Sequence, residues 1–371
     1  MEKVDFIDLK AQYLSIKDEI NEAIQKVIDS AAFSLGPFVV SFEENFAIAH
    51  NARYCVGVNS GTAALHVALW ALGIGQGDEV IVPTNTFFAT PESVSLTGAT
   101  PVFVDCEPKY FNIDPEKVEN AITRRTKAII AVHLYGQPAQ LDKIKIIAEK
   151  NNLLLIEDCA QAHLAEYRGK PVGTYGICGC FSFYPGKNLG AYGEAGAVIT
   201  NNEELYLKMH ALRDHGAYKK YHHDYIGHNY RMEGIQGAIL DIKLKHLKKW
   251  TEKRKRNASL YKKYLEEISE VFLPLELPET KHVYHLFVVR VLRRDELMKY
   301  LQSKEIYAGI HYPIPCHLQK AYGFLHHPQS RLEVSEKYAK EILSLPMYAE
   351  LTEKKIQFVC EGIEEFYKKL N

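Results

Sequence analysis

Three short stretches of the chain set chemically useful residues directly after apolar runs. The first is Asn59-Ser60-Gly61-Thr62-Ala63-Ala64-Leu65. The apolar run Cys55–Val58 enters a glycine turn and then a segment rich in Ala and Leu. The free N–H groups and positive dipole at such a helix start suit an anion such as phosphate. Gly61 lets the backbone come close, and Thr62 adds a hydroxyl donor. A simple helix cap would read the same way. The second stretch, Leu153-Leu154-Leu155-Ile156-Glu157-Asp158-Cys159-Ala160-Gln161, is an apolar strand ending in an acidic pair. Ligands of parallel α/β sheets bind beyond the carboxyl ends of strands. Asp158 is therefore a candidate to pair with a protonated ring nitrogen or a metal, with a helix N-cap carboxylate as the alternative. In the third, Phe181-Ser182-Phe183-Tyr184-Pro185-Gly186-Lys187-Asn188-Leu189-Gly190, an aromatic strand turns through Pro-Gly to a lysine. Desolvation among aromatic side chains would lower the amine pKa and expose the neutral, nucleophilic form. A lone loop lysine, by contrast, is ordinarily just solvated.

Separately each stretch is ambiguous; in chain order they are complementary. A phosphate turn, a strand-end acid and a strand-end lysine are what pyridoxal 5'-phosphate requires. That cofactor has a phosphate to anchor, a pyridine nitrogen to keep protonated and an aldehyde to trap, and an acid beside the nitrogen makes its ring an electron sink.

The elements that would carry these residues are legible in the hydrophobic pattern. From about residue 55, short apolar runs alternate with helical stretches: Glu79–Val82, Val102–Asp105, Ala128–His133, Leu153–Glu157, Gly179–Phe183 and Ala197–Thr200. Several are apolar at nearly every position, as strands covered on both faces are. Between them, Leu141–Lys150 has its apolar residues at helical spacing. This alternation implies an α/β fold whose central sheet is mainly parallel with helices on both sides. Upstream, Ile16, Ile20, Ile24, Val27 and Ile28 mark a first helix, with Ser15 and Asp18 as a start resembling a capping box. After about Glu233, a long Lys-rich helical stretch runs through Leu240, Leu244, Leu247 and Trp250 towards Tyr264. Its Lys/Arg run, Lys243 to Arg256, reads as a solvated helix face. Tyr284–Val291 reads as a strand and Arg294–Lys304 as a helix. The expected division is a large α/β domain over residues 1–249 and a smaller α+β domain over 250–371.

Composition narrows the partners. The 371 residues include 45 Lys plus Arg and 46 Asp plus Glu, for a formal net charge of -1. That balance gives no whole-protein electrostatic case for nucleic acid or an anionic membrane. No apolar run approaches the roughly 20 residues of a membrane helix, and the charged start MEKVDFIDLK lacks a signal-peptide core. Seven scattered cysteines fit reduced thiols in a cytoplasmic protein better than a disulfide framework. The segment His222-His223-Asp224-Tyr225-Ile226-Gly227-His228 lacks ligand periodicity, so no metal is expected there. Cys178-Gly179-Cys180 reads as a pair of small core thiols. No G-x-G-x-x-G follows the early strands, which removes a nicotinamide-binding reading.

The sequence resembles the DegT/DnrJ/EryC1/StrS family of sugar aminotransferases over nearly its whole length. The ordered matches are Phe6-Ile7-Asp8-Leu9, Gly36-Pro37 with Phe42-Glu43, Asn59–Ala64, Pro83–Thr90, Glu157–His163, Phe181–Lys187, Asn229-Tyr230-Arg231, His311-Tyr312-Pro313 and Leu345-Pro346-Met347. The resemblance implies a fold-type I, aspartate aminotransferase-like architecture. It implies that Gly61, Thr62 and Ser182 bind the cofactor phosphate and that Phe87 stacks on the pyridine ring. Asp158 would pair with the ring nitrogen, Gln161 would contact the ring hydroxyl, and Lys187 would hold the aldehyde as a Schiff base. Asn229 would reach the phosphate of a neighbouring subunit, implying a homodimer with shared active sites. His311 and Tyr312 would lie near the sugar.

The wording from Phe183 to Ala191 resembles the members that aminate C3 of dTDP-3-keto-6-deoxyhexoses, as does Lys220-Tyr221-His222-His223; Tyr184 and Lys220 would then lie near substrate. The implied reaction transfers an amino group from glutamate to the keto sugar in deoxysugar biosynthesis for O-antigen or surface polysaccharide, leaving 2-oxoglutarate. Lys187 would serve as both tether and proton carrier. Two rival readings are an aminotransferase for UDP-4-keto sugars and a non-catalytic sensor that only binds the cofactor. The chain departs from the family pattern at Glu194-Ala195, commonly Asp-Gly, and at Ala349, where Pro is frequent. Members that have lost the lysine carry histidine there and catalyse dehydration, which Lys187 argues against.

Overall fold

The computed structural model describes residues 3–326 and 331–370. Its central feature is a seven-stranded sheet built from β1 (Tyr54–Val58), β2 (Glu79–Pro83), β3 (Thr100–Val104), β4 (Thr126–Val132), β5 (Leu154–Asp158), β6 (Cys178–Ser182) and β7 (Gly196–Thr200), in the order β1-β7-β6-β5-β4-β2-β3. Pairings from β6 across to β3 are parallel; β7 runs against both β6 and β1. The α/β reading holds, and each apolar run lies within a residue or two of its strand. β2 and β7 are buried at every position because helices cover both faces. On one face pack the helix Gly61–Ala71 and its neighbours; on the other, Pro37–Ala49 and Leu141–Lys150.

The helix Pro37–Ala49 does more than cover the sheet. Glu43 is buried, and its Oε1 accepts from Gly57 N–H in β1 at 2.6 Å and from the guanidinium of Arg213, itself buried. An ion pair this deep costs desolvation and holds only because each group is also hydrogen-bonded; Arg213 donates as well to Gly57 O at 2.8 Å. The pair fixes the strand that leads into Gly61, which gives the Phe42-Glu43 match a physical reason.

Beyond the large sheet, Val271–Phe272 (β8), Phe287–Val291 (β9) and Ile342–Leu345 (β10) form an antiparallel sheet in the order β8-β9-β10. The helices Arg294–Ser303 and Glu353–Lys368 share its core. The chain start belongs here too, since Val4 bridges to Ile306. The helix Gly234–Leu265 runs unbroken through residues 249 and 250. Among the described residues, no helix is long and apolar enough to cross a membrane.

Three local readings are corrected. Ser15 does not cap the first long helix. It ends a preceding short helix, Leu9–Ser15, and its hydroxyl donates to Gln12 O at 2.7 Å, while the helix Lys17–Ser30 starts after Ile16 with no side-chain cap. The Lys/Arg run is not wholly a solvated face: Lys243 and Arg254 are buried. Lys243 Nζ donates to Gly190 O at 2.5 Å, and Arg254 donates to the carbonyls of Tyr284, His285 and Met347 at 3.1–3.2 Å. Finally, strand pairing begins at Phe287 rather than Tyr284. Tyr284 has a φ of 45° and stacks on His282, so the preceding residues loop back towards the large sheet.

Candidate active site

The carboxyl ends of β1, β2, β4, β5 and β6 share one edge of the sheet, and a cavity of about 630 Å³ opens there. That volume lies within the usual range of small-molecule sites. From β1 the chain turns through Ser60, whose Oγ accepts from Ala63 N–H at 3.0 Å and caps the helix Gly61–Ala71. The N–H groups of Gly61 and Thr62 have no partner among the described residues and face the cavity, the arrangement that binds anions.

Gly61 must be glycine for a reason other than phosphate. A Cβ there would sit 2.6 Å from Ser182 Cβ, because the turn presses on the end of β6. The turn and Ser182 thus lie side by side on the cavity wall, where an anion could meet both. Gly61→Ala is expected to push the turn off Ser182, weakening cofactor binding about tenfold and costing about 1–3 kcal/mol of stability. Equilibrium titration with pyridoxal phosphate beside thermal melts checks both, and unchanged affinity would remove the turn from the phosphate site.

Asp158 ends β5 and is buried. Its Oδ2 accepts from Thr90 Oγ1 at 2.8 Å and its Oδ1 from Ala160 N–H at 3.1 Å. Burial holds its carboxyl above the usual carboxylate range, against those donors and the nearby Lys187 charge. Gln161 is fixed at both ends: Oε1 accepts from Tyr135 N–H at 2.6 Å, and Nε2 donates to Tyr312 Oη at 3.2 Å. Phe87 is 54% exposed and turns its ring to the cavity, 5.5 Å from the ring of Tyr312.

Lys187 sits in a tightly tied loop. Its N–H donates to Tyr184 O at 2.9 Å, and Asn188 Nδ2 donates to Val283 O at 3.0 Å. At the loop's far end a Cβ on Gly190 would meet Pro185 O at 2.3 Å. The side chain is half-buried and opens onto the cavity. Burial pulls its pKa from 10.5 down to about 8, which Asp158 partly opposes. Among the described lining residues it is the one lysine or arginine.

His311 lines the opposite wall, stacked on Phe6 at 5.4 Å, with Nδ1 2.9 Å from Ser344 Oγ. Burial and the Lys187 charge lower its pKa to about 4, so the imidazole is neutral near pH 7. Tyr184 also lines the cavity, 55% exposed.

Two expected residues lie outside this cavity. Lys220 is exposed in the turn between the strands Ala217–Lys219 and His222–His223, over the ring of Tyr221. Asn229 is exposed as well; its backbone pairs with Asp214, and its carbonyl accepts from Asn59 Nδ2 at 3.4 Å. Among the lining residues, Phe6, Thr86, Thr90 and His285 had no chemistry assigned from the sequence, and Glu194 stood only as a departure from the family pattern. Phe6, Thr86 and Thr90 stand inside matched stretches. His285 had no local signal, because a loop from beyond β8 delivers it.

A buried cluster beside the site joins His133, Glu157 and Cys159. Glu157 accepts from His133 Nε2 at 3.0 Å and from the N–H groups of Gly173, Tyr175 and Gly176 at 2.7–2.8 Å. His133 Nδ1 accepts from Ala139 N–H at 3.0 Å. With every position of Glu157 and His133 used, that pair is a brace beside Asp158. His222 and His223 are exposed, whereas Cys178 and Cys180 are buried in the core.

The residues present fit pyridoxal phosphate: an anion-binding turn, an open aromatic face, a buried acid and a lysine amine facing the cavity. Fold and site together define a fold-type I pyridoxal phosphate enzyme. Comparison with known proteins carries this further. Residues 14–364 match the DegT/DnrJ/EryC1/StrS aminotransferase family. The chain is 45% identical over 98% of its length to a "Pleiotropic regulatory protein" of Geobacillus stearothermophilus, covering 99% of that protein. It is 42% identical to the dTDP-3-amino-3,4,6-trideoxy-alpha-D-glucose transaminase of Streptomyces venezuelae, over 100% of this chain and 97% of the relative. A UDP-N-acetyl-3-dehydro-alpha-D-glucosamine 3-aminotransferase of Acidithiobacillus ferrooxidans is 44% identical, over 97% of each. Among solved structures, S. venezuelae DesV in complex with a ketimine intermediate superposes with a TM-score of 0.97 at 43% identity, covering 99% of both chains. The chain belongs to the DegT/DnrJ/EryC1/StrS aminotransferase family, and it is a pyridoxal phosphate-dependent aminotransferase.

Proposed function

We propose that the protein transfers an amino group from glutamate to C3 of a dTDP-3-keto-6-deoxyhexose. The observation that carries this reading is the end-to-end match to the S. venezuelae transaminase, at 42% identity in sequence and a TM-score of 0.97 in fold. The wording from Phe183 to Ala191 supports it.

When bound, the cofactor supplies an aldehyde for an amine to join and a ring that spreads negative charge while its nitrogen stays protonated. The chain's residues do the rest. Gly61, Thr62 and Ser182 hold the phosphate, and Phe87 covers the ring. Asp158 keeps the proton on the ring nitrogen, and Gln161 meets the ring hydroxyl. Lys187, largely neutral above about pH 8, takes the α-proton of glutamate and returns a proton on the sugar side. A carrier with a pKa near the working pH is the efficient choice. His311, neutral and fixed by Ser344, and Tyr312, fixed by Gln161, present hydrogen-bonding groups to the sugar.

The reading includes a homodimer in which Lys220 and Asn229 serve the neighbouring subunit's site. It is supported by their exposure away from the cavity of their own chain and by the apolar surface around them, where Tyr221 is 81% and Ile226 84% exposed. The reading includes work in the cytoplasm, where the seven cysteines would stay reduced.

The test offers dTDP-3-keto, dTDP-4-keto and UDP-keto hexoses side by side. A preference of at least tenfold in kcat/KM for the dTDP-3-keto sugar is expected, and a preference for either other substrate overturns the assignment. The relative named as a regulatory protein keeps a sensor reading in view. A sensor would not convert its cofactor to the amine form with glutamate.

A further inference from the structure

We infer that Thr86 and Thr90 form a one-way hydroxyl relay that holds Asp158 as the anion the reaction needs, which makes both threonines positioning residues. The inference rests on the role proposed above for Asp158. Thr86 lies in the loop after β2, and Thr90 lies in the first turn of the helix Ala89–Leu96. The loop folds back as the helix begins and brings the two hydroxyls together. Thr86 Oγ1 lies 2.9 Å from Thr90 Oγ1, and Thr90 Oγ1 lies 2.8 Å from Asp158 Oδ2. Thr86, Thr90 and Asp158 are all buried.

The direction of the relay follows from counting protons. A threonine hydroxyl carries one proton, and an ionised carboxylate only accepts. With Asp158 ionised, Thr90 must donate to Oδ2, and Thr86 must then donate to Thr90. The reverse direction begins with a protonated Asp158 and ends with a Thr86 proton in need of an acceptor. Among the described residues Thr86 Oγ1 has no second hydrogen-bond partner. Thr86 borders the cavity, and among partners within the protein the hydroxyls therefore favour the anion. Each carboxylate oxygen then carries one donor, Thr90 on Oδ2 and Ala160 N–H on Oδ1. Each also retains a lone pair, so the acid is pinned without being filled.

The other groups around Asp158 do not take over this task. Lys187 favours the anion by charge, but it is the group that must lose and regain its own proton. Tyr312, Cys159 and Cys180 also feel the Asp158 charge, and burial keeps all three neutral. Burial itself pushes Asp158 towards the neutral acid. The hydroxyl donors oppose that push without titrating.

The test uses the holoenzyme, following half-transamination with glutamate across pH together with the dissociation constant for pyridoxal phosphate. Thr90→Val keeps the shape and removes the donor. Its acidic limb is expected to move up by about one pH unit, because Asp158 then protonates sooner as pH falls. At the original optimum the rate should drop about tenfold, and the cofactor should bind several-fold more weakly. Thr90→Ser should return the limb to within about 0.3 unit of the starting protein, which a purely packing role would not do. Thr86→Val, one bond further out, should move the limb in the same direction by less. An unmoved limb in both valine variants overturns the relay. If Thr90→Val does not fold, the Thr86→Val and Thr90→Ser profiles decide alone, and an unmoved limb in Thr86→Val sinks the proposal. Asp158→Asn separates this from the underlying reading: near-normal turnover in that variant would remove Asp158 from the chemistry, whatever the threonines do.

Discussion

Lys187→Ala is expected to lower the rate of the glutamate half-reaction by about 10⁴-fold or more, since one amine is asked to act as both tether and proton carrier. Among the described residues no other lysine lines the cavity around it, and the neighbouring imidazoles of His285 and His311 have pKa values pushed down by burial and by the Lys187 charge. Cofactor binding should survive in part, because the turn at Gly61, Ser182, the Phe87 ring and Asp158 are untouched. Stopped-flow absorbance of the bound cofactor after mixing with glutamate reads the loss directly, and near-normal conversion would refute the assignment of Lys187.

The same residue gives a stability signature of opposite sign. Its folded-state pKa, about 8, lies below its ordinary 10.5. Between those values the unfolded chain binds more protons, so stability rises with pH across that window. Below about pH 8 the penalty is complete. The more isosteric Lys187→Met should therefore stabilise the cofactor-free protein near pH 7 by on the order of 2 kcal/mol, less where water in the cavity screens the charge. The gain should vanish near pH 10.5.

How much of this was legible in the sequence differs by residue, and the differences are physical. Asp158 and Ser182 could be placed because their strands are buried on both faces and announce themselves as apolar runs; the residue at the end of such a run lands at the carboxyl edge. Gly61 could be placed because its turn follows β1. What convergence would bring beside them could not be read. His285 arrives from a loop shaped by the left-handed Tyr284 and by Arg254, whose guanidinium holds three carbonyls there. In the sequence Arg254 is one cation in a basic run, and nothing local separates it from its solvated neighbours. Lys243 was hidden in the same way, although it anchors the Lys187 loop through Gly190. The misread cap at Ser15 has a related cause. Ser and Asp at capping spacing are compatible with the end of one helix as well as the start of the next, and the sequence does not distinguish them. Lys220 and Asn229 were identified by resemblance alone, and the geometry of one chain puts both outside the cavity.

The second large effect concerns the acid. Asp158→Asn keeps the volume of the side chain and replaces one accepting oxygen by a donating NH₂. Thr90 and Ala160 already aim donors at the two positions, so either orientation of the amide sets an N–H against a donor. Thr90 can turn its hydroxyl round to accept; Ala160 N–H cannot. The amide should therefore place its oxygen towards Ala160 and its NH₂ towards Thr90, which leaves no anion to hold a proton on the ring nitrogen. A group that stabilises charge in an enclosed site is commonly worth about 10²–10³ in rate, and a loss of that size in the half-reaction is expected. The loss should be nearly independent of pH, since the titrating carboxyl is gone, whereas the starting protein should lose activity as acid protonates Asp158. That difference in shape matters more than the size. A variant with a depressed rate but an intact acidic limb would mean that another group sets the limb, and Asp158 would be left as a strut under the site.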